Sequence, residues 1–159
     1  MSSEPHGPPL FLYGSLLTGT PDRRLNKRLR RLLRHARAAA IQARLYNLGR
    51  YPGIIASPSK ADRVYGRVIT VDHPQLLRQL DRYEGYVAAE PANSEFIRTL
   101  MPTQLLPSRK RIACWVYIYH GDLSGKQRIV SGDYIRHKSA GRRQTRQVRS
   151  RRTLGTRWC

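Results

Sequence analysis

Two hydrophobic rhythms alternate along the chain. The run Leu10-Phe11-Leu12-Tyr13 has the length and composition of a buried strand, and Gly14-Ser15 ends it. In "DRRLNKRLRRLLRHAR", residues 22–37, Leu25, Leu29, Leu32 and Leu33 recur at helical spacing with Arg and Lys between them. This predicts an amphipathic helix started by Thr20-Pro21-Asp22. "AIQARLYNL" partly alternates, and Gly49 and Pro52-Gly53 punctuate the next stretch, giving strand, turn and a short extended piece. "DRVYGRVITV" reads as a strand with Val64, Gly66, Val68 and Thr70 on one side and Tyr65, Arg67, Ile69 and Val71 on the other. "DHPQLLRQLDRYEGY" predicts a helix from near Asp72 to near Gly85, with Leu76, Leu77 and Leu80 inward. "SEFIRTLMPTQL" and the long, aromatic and β-branched "RIACWVYIYHG" supply the last strands, the second central, and "SGDYI" closes the folded part. Most strands succeed one another without a helical crossover, so the chain is α+β with a mostly antiparallel or mixed, curled sheet.

Charge adds a second division. The 159 residues hold 30 Lys+Arg against 10 Asp+Glu, a formal net charge of +20. Residues 135–159 alone carry nine basic side chains and no acidic one. With few apolar residues, this stretch does not bury enough surface to order itself. Residues 1–9 form a polar, proline-rich, disordered lead-in, 10–135 a single domain, and 136–159 a basic, disordered tail. Two cysteines, Cys114 and Cys159, make no disulfide framework and fit a reducing compartment, the cytoplasm by default. No signal peptide and no apolar stretch of membrane-spanning length is visible, so no membrane role is expected.

Several chemistries fall away on spacing. His6, His35, His73, His120 and His137 lie too far apart in sequence to suggest a zinc site, so no metal is expected. "YGSLL" lacks the G-x-S-x-G nucleophile elbow, and no segment matches a glycine-rich nucleotide loop. Glu84 stands where a leucine-bearing helix gives way to glycine, between Tyr83 and Tyr86. It reads either as an ordinary surface carboxylate paired with one of many arginines, or as one whose pKa the aromatics raise for proton transfer. The cations of 22–37 are either the solvated face of a helix or, with the tail, a phosphate-tracking surface. Trp158 is the only aromatic after Tyr134, which leaves base stacking without support.

Taken in order, "FLYGSLL", "ARLYNLGRYPGII", "VYGRVITV", "LDRYEGY", "SEFIR", "CWVYIY" and "SGDYI" resemble the gamma-glutamylcyclotransferase-like family, which includes gamma-glutamylamine cyclotransferases and many small bacterial proteins. The resemblance covers about residues 10–135 and implies a small mixed or antiparallel β-barrel flanked by helices. It further implies that backbone groups of Tyr13, Gly14, Ser15 and Leu16 hold a substrate's α-carboxylate and α-amine, and that Glu84 is the acid/base. The implied reaction cyclises a γ-glutamyl amide to 5-oxoproline with release of an amine or amino acid. The nucleophile then belongs to the substrate, and no cofactor is needed.

Two departures concern the pocket. The family's tyrosine-x-arginine appears as Phe96-Ile97-Arg98, and its glycine-glutamate-valine-tyrosine strand as Gly66-Arg67-Val68-Ile69. Arg98 and Tyr134 match family positions near the pocket, where each either binds substrate or holds the barrel together. The alternative function is a catalytically silent barrel whose basic helix and tail bind nucleic acid or another polyanion. The tail would make non-specific nucleic-acid contact, or would merely add solubility.

Overall fold

In a computed structural model of the chain, residues 7–153 are described, with side chains to residue 146. The strands are β1 (Leu10–Leu12), β2 (Arg37–Asn47), β3 (Pro52–Ala56), β4 (Arg63–Ile69), β5 (Phe96–Leu105), β6 (Arg111–Tyr119) and β7 (Gln127–Arg128). The helices are α1 (Arg23–Leu33), α2 (Pro74–Tyr83) and α3 (Tyr134–Thr153). Five strands close into a ring in the order β2-β4-β1-β6-β5, with β5 returning to β2 through Ala39↔Leu105 and Ala40↔Gln104. Only β1 and β6 run parallel, meeting at Leu10↔Trp115, so the barrel is mixed as expected. The C-terminal half of β2 leaves the ring and pairs with β3 and β7.

The alternation within β1 divides the core. Phe11 and Tyr13 point into one cluster with Ile41, Leu45, Val64 and Val116, the barrel interior. Leu10 and Leu12 point the other way and meet Leu25 and Leu29 of α1 and Leu76 and Leu80 of α2. The two sides read for β4 obey the same rule: Val64 and Val68 lie inside, and Ile69 lies with Val71 under the helices. Gly66 is required where β4 crosses β1, because a Cβ there would stand 2.1 Å from the Leu12 carbonyl oxygen.

Asp22 caps α1 by accepting from the Arg24 and Leu25 N–H groups, as the sequence predicts. The helix stops at Leu33, earlier than the expected Arg37. After the last leucine only the small Ala36 packs against the core, and Arg37 is already the first residue of β2. His73 caps α2, with Pro74 in the first turn. Asp62 joins three elements by accepting from Ser57 at 2.6 Å, Arg44 at 2.7 Å and Arg128 at 2.6 Å. These partners, the Ser57 hydroxyl first, hold its carboxyl well below the usual range.

Beyond the barrel, the stretch expected to lack order has helical backbone as far as Thr153, started where Asp133 accepts from the Arg136 N–H at 3.0 Å. Its Arg, Lys, Gln and Ala residues are helix formers, whereas its side chains from Ser139 to Arg146 are all exposed and have no core to join. The outermost parts of both terminal expectations, residues 1–6 and 154–159 with Cys159 and Trp158, lie outside the described residues.

Candidate active site

β1 ends inside the barrel wall, and the chain turns at once into a short 3-10 turn, Ser15–Leu17. Gly14 begins this turn with φ −129 and ψ −136, and its carbonyl accepts from the Leu17 N–H at 2.9 Å. A Cβ on Gly14 would lie 2.6 Å from Pro52 Cγ, so only glycine lets β3 approach this closely. The opening N–H groups of such a turn have no acceptor within it. Here they border a pocket lined by Tyr13, Gly14, Ser15, Leu16, Tyr51 and Glu84, among others.

Glu84 reaches that pocket from the end of α2. It stands just after the last helical residue, and its N–H donates to the Leu80 carbonyl at 2.8 Å, which fixes where its side chain starts. The carboxyl is half-buried, and its pKa is pushed up to about 7, first by burial and then by the charge of nearby Glu95. Glu95 itself accepts a short hydrogen bond from the Tyr51 hydroxyl, and this pushes the Tyr51 phenol up to about 12. A carboxyl with a pKa near neutrality exchanges protons in both directions at physiological pH.

Two buried phenols form the floor. Tyr13 donates to the Tyr117 carbonyl at 2.8 Å, and burial, then the charge of Glu84, holds its own proton on well above the ordinary phenol range. Tyr117 donates to Asp81 Oδ1 at 2.7 Å. Asp81 is in turn gripped by Arg98 through Nε at 2.8 Å and Nη2 at 3.1 Å, and the guanidinium lies 4.4 Å from the Trp115 ring centroid. Arg98 is therefore one step behind the pocket and holds the residue that holds Tyr117.

Of the residues expected at the site, Tyr13, Gly14, Ser15, Leu16 and Glu84 come together, whereas Arg98 and Tyr134 do not line the pocket. Tyr134 is a member of the barrel-interior cluster, with Lys138 over its ring. Asp81 and Tyr117 carry no signal in the sequence that marks them for the site. Asp81 does lie in the same "LDRYEGY" stretch as Glu84, three residues earlier, and that spacing puts both on one side of the helix end.

The cavity measures about 20 Å³, room for a single water. A larger cleft of about 420 Å³ opens where β2 passes its edge from β5 to β3, but no acidic or histidine side chain lines it. Volume therefore does not pick the site; the proton-exchanging group does. Among the described residues no cluster of His, Cys, Asp and Glu could hold a metal ion, and no helix is long and apolar enough to cross a membrane.

Residues 10–136 match the sequence profile of the family described as gamma-glutamyl cyclotransferase, AIG2-like. A gamma-glutamylaminecyclotransferase of Bos taurus is 32% identical over 120 residues, covering 69% of this chain and 64% of that protein. The chain thus spans less than two thirds of the length of this curated relative. Among solved structures, YkqA from Bacillus subtilis aligns with a TM-score of 0.60 at 17% identity, over 85% of this chain and 42% of that one. The protein ytfP from Escherichia coli aligns at 0.53 and 25%, over 82% of this chain and 98% of that one.

Proposed function

The chain belongs to the AIG2-like gamma-glutamyl cyclotransferase family, and from this premise we propose that it cyclises a γ-glutamyl amide to 5-oxoproline, releasing an amine or amino acid. The observation that carries the proposal is the pairing of Glu84, with its pKa near 7, and the N–H-bearing turn at Gly14 to Leu16 across one pocket. In this reading the turn receives the glutamyl α-carboxylate, and the chain folds back so that its α-amine faces its own γ-carbonyl.

Glu84 takes a proton from the α-ammonium. The freed amine attacks the γ-carbonyl carbon, a ring C–N bond forms, and the carbonyl oxygen gains negative charge that backbone N–H donors stabilise. Glu84 then gives its proton to the departing nitrogen, the oxyanion collapses and the amide C–N bond breaks; the restored carboxylate passes the ring nitrogen's second proton to the released amine, which leaves as an ammonium, and the lactam keeps one N–H. A single carboxylate serves these transfers, which suits a pKa near the middle of the working range. At about 20 Å³ the cavity is smaller than a glutamyl chain, so this reading requires the pocket to widen when substrate binds.

The test is 5-oxoproline release from a panel of γ-glutamyl amino acids and γ-glutamyl amines. Glu84→Gln is expected to lower kcat by ~10²–10⁴-fold. In the unmodified protein kcat/KM is expected to fall as the pH drops below about 7, where Glu84 becomes protonated. Activity that survives the substitution undiminished removes Glu84 from the mechanism.

A further inference from the structure

We propose that the exposed cationic face of α1 binds the phosphate backbone of duplex nucleic acid. This goes beyond the cyclotransferase reading and does not depend on it. α1 and its capping Arg34 carry Arg23, Arg24, Lys27, Arg28, Arg30, Arg31 and Arg34 with no acidic residue among them. Two acidic side chains meet this array: Asp22 caps the helix through the Arg24 and Leu25 N–H groups, and Asp72 accepts from Arg28 at 3.5 Å and Arg31 at 2.9 Å. The other five cations have no ion pair among the described residues.

The arrangement works against the helix that carries it. Arg23/Lys27, Arg24/Arg28, Lys27/Arg31 and Arg30/Arg34 are like charges four residues apart, and each such pair weakens a helix. Cations in the first turn also oppose the helix dipole, against which Asp22 sets one carboxylate at the cap. An external polyanion would relieve both. The face is nonetheless held firmly: Leu25 and Leu29 are buried at 2% and 1% exposure, and Asn26 bridges the Thr20 backbone at 2.6 and 2.7 Å. It is a prearranged band of charge along the outer side of the helix.

Its dimensions fit a duplex. From Arg23 to Arg34 the helix rises about 16 Å, and a duplex carries one charge about every 1.7 Å of its axis with both strands counted, so several phosphates on the facing side lie within reach. A bilayer is a poorer match, because the apolar side of α1 is spent against the barrel and none is left to enter the interface. Single-strand stacking has no aromatic to use, since α1 has none.

The experiment uses the full-length chain and two quadruple variants of it: Arg23, Lys27, Arg30 and Arg34 to Gln on α1, and Arg149, Arg151, Arg152 and Arg157 to Gln in the tail. Binding to a short DNA duplex of arbitrary sequence is titrated at several salt concentrations, alongside anionic phospholipid vesicles, with thermal melts to confirm folding. The α1 variant is expected to lose at least tenfold in affinity, and its slope of log K against log salt is expected to shallow by about 3.6, near 0.9 per cation removed. An α1 variant that binds with unchanged affinity and slope overturns the proposal. So does a folded α1 variant that loses less affinity than the tail variant, or tight binding to vesicles with none to duplex.

Discussion

Glu84 occupies a place that costs its charged form energy, and that cost has a measurable side apart from catalysis. Its pKa near 7 in the folded chain, against an ordinary 4.5, means the native state holds more protons than the unfolded state between those values. Stability must therefore fall as pH rises through that window, with the whole penalty present above about pH 7. The full shift corresponds to about 3 kcal/mol, and partial exposure reduces it to about 2 kcal/mol. Glu84→Gln removes the ionisation, so the variant is expected to melt higher than the parent at about pH 8 and to match it closely at about pH 4. Equal melting differences at both values would show that the carboxyl ionises without hindrance. The same substitution is thus expected to gain stability where it loses activity, the trade-off found where a strained group is functional.

At the scale of elements, α2 and β6 are coupled through Asp81, which accepts from Tyr117 of β6 and Arg98 of β5 while Glu84 extends from the same helix end. Asp81→Asn leaves the Arg98 guanidinium, whose side chain is 17% exposed, without its counter-charge. The expected loss is about 2 kcal/mol in chemical denaturation, accompanied by lower activity because the end of α2 loosens. A variant as stable as the parent would reduce this trio to a surface contact. The elements that the sequence reveals are those with a clean period: the leucines of α1 and α2 and the alternation in β4 all face where their spacing says. What stays hidden is direction. Arg98 and Tyr134 read either as substrate-binding or as holding the barrel together; Arg98 grips Asp81 and Tyr134 packs into the barrel, and the sequence leaves the choice open because which neighbour a long side chain meets depends on strand register across residues far apart in sequence. The end of α1 is hard to read because Arg34 to Arg37 continue the helix-forming composition, while the contacts that end the helix belong to β2. Glu84 is legible because its motif, not its local context, separates it from an ordinary surface acid.

The molecule as a whole carries +20, and the five ion pairs recorded among the described residues engage only a small part of its 30 basic side chains. Self-repulsion of this size opposes compactness. Raising salt from about 0.01 to 0.15 M shortens the screening length from about 30 to 8 Å, so the melting temperature is expected to rise with sodium chloride over that range. A fall would mean that the ion pairs outweigh the repulsion. The ring topology carries a different consequence, one that concerns order in time. Leu10 has its parallel partner at Trp115, and β2 meets β5 only at Leu105 and Gln104. During synthesis β1 emerges long before β6, so its second edge stays uncovered and the ring stays open until β6 arrives, although β4, β2 and β5 can pair earlier. Until then the nascent chain presents an unpaired edge and half a core, with only its excess of positive charge to keep like copies apart.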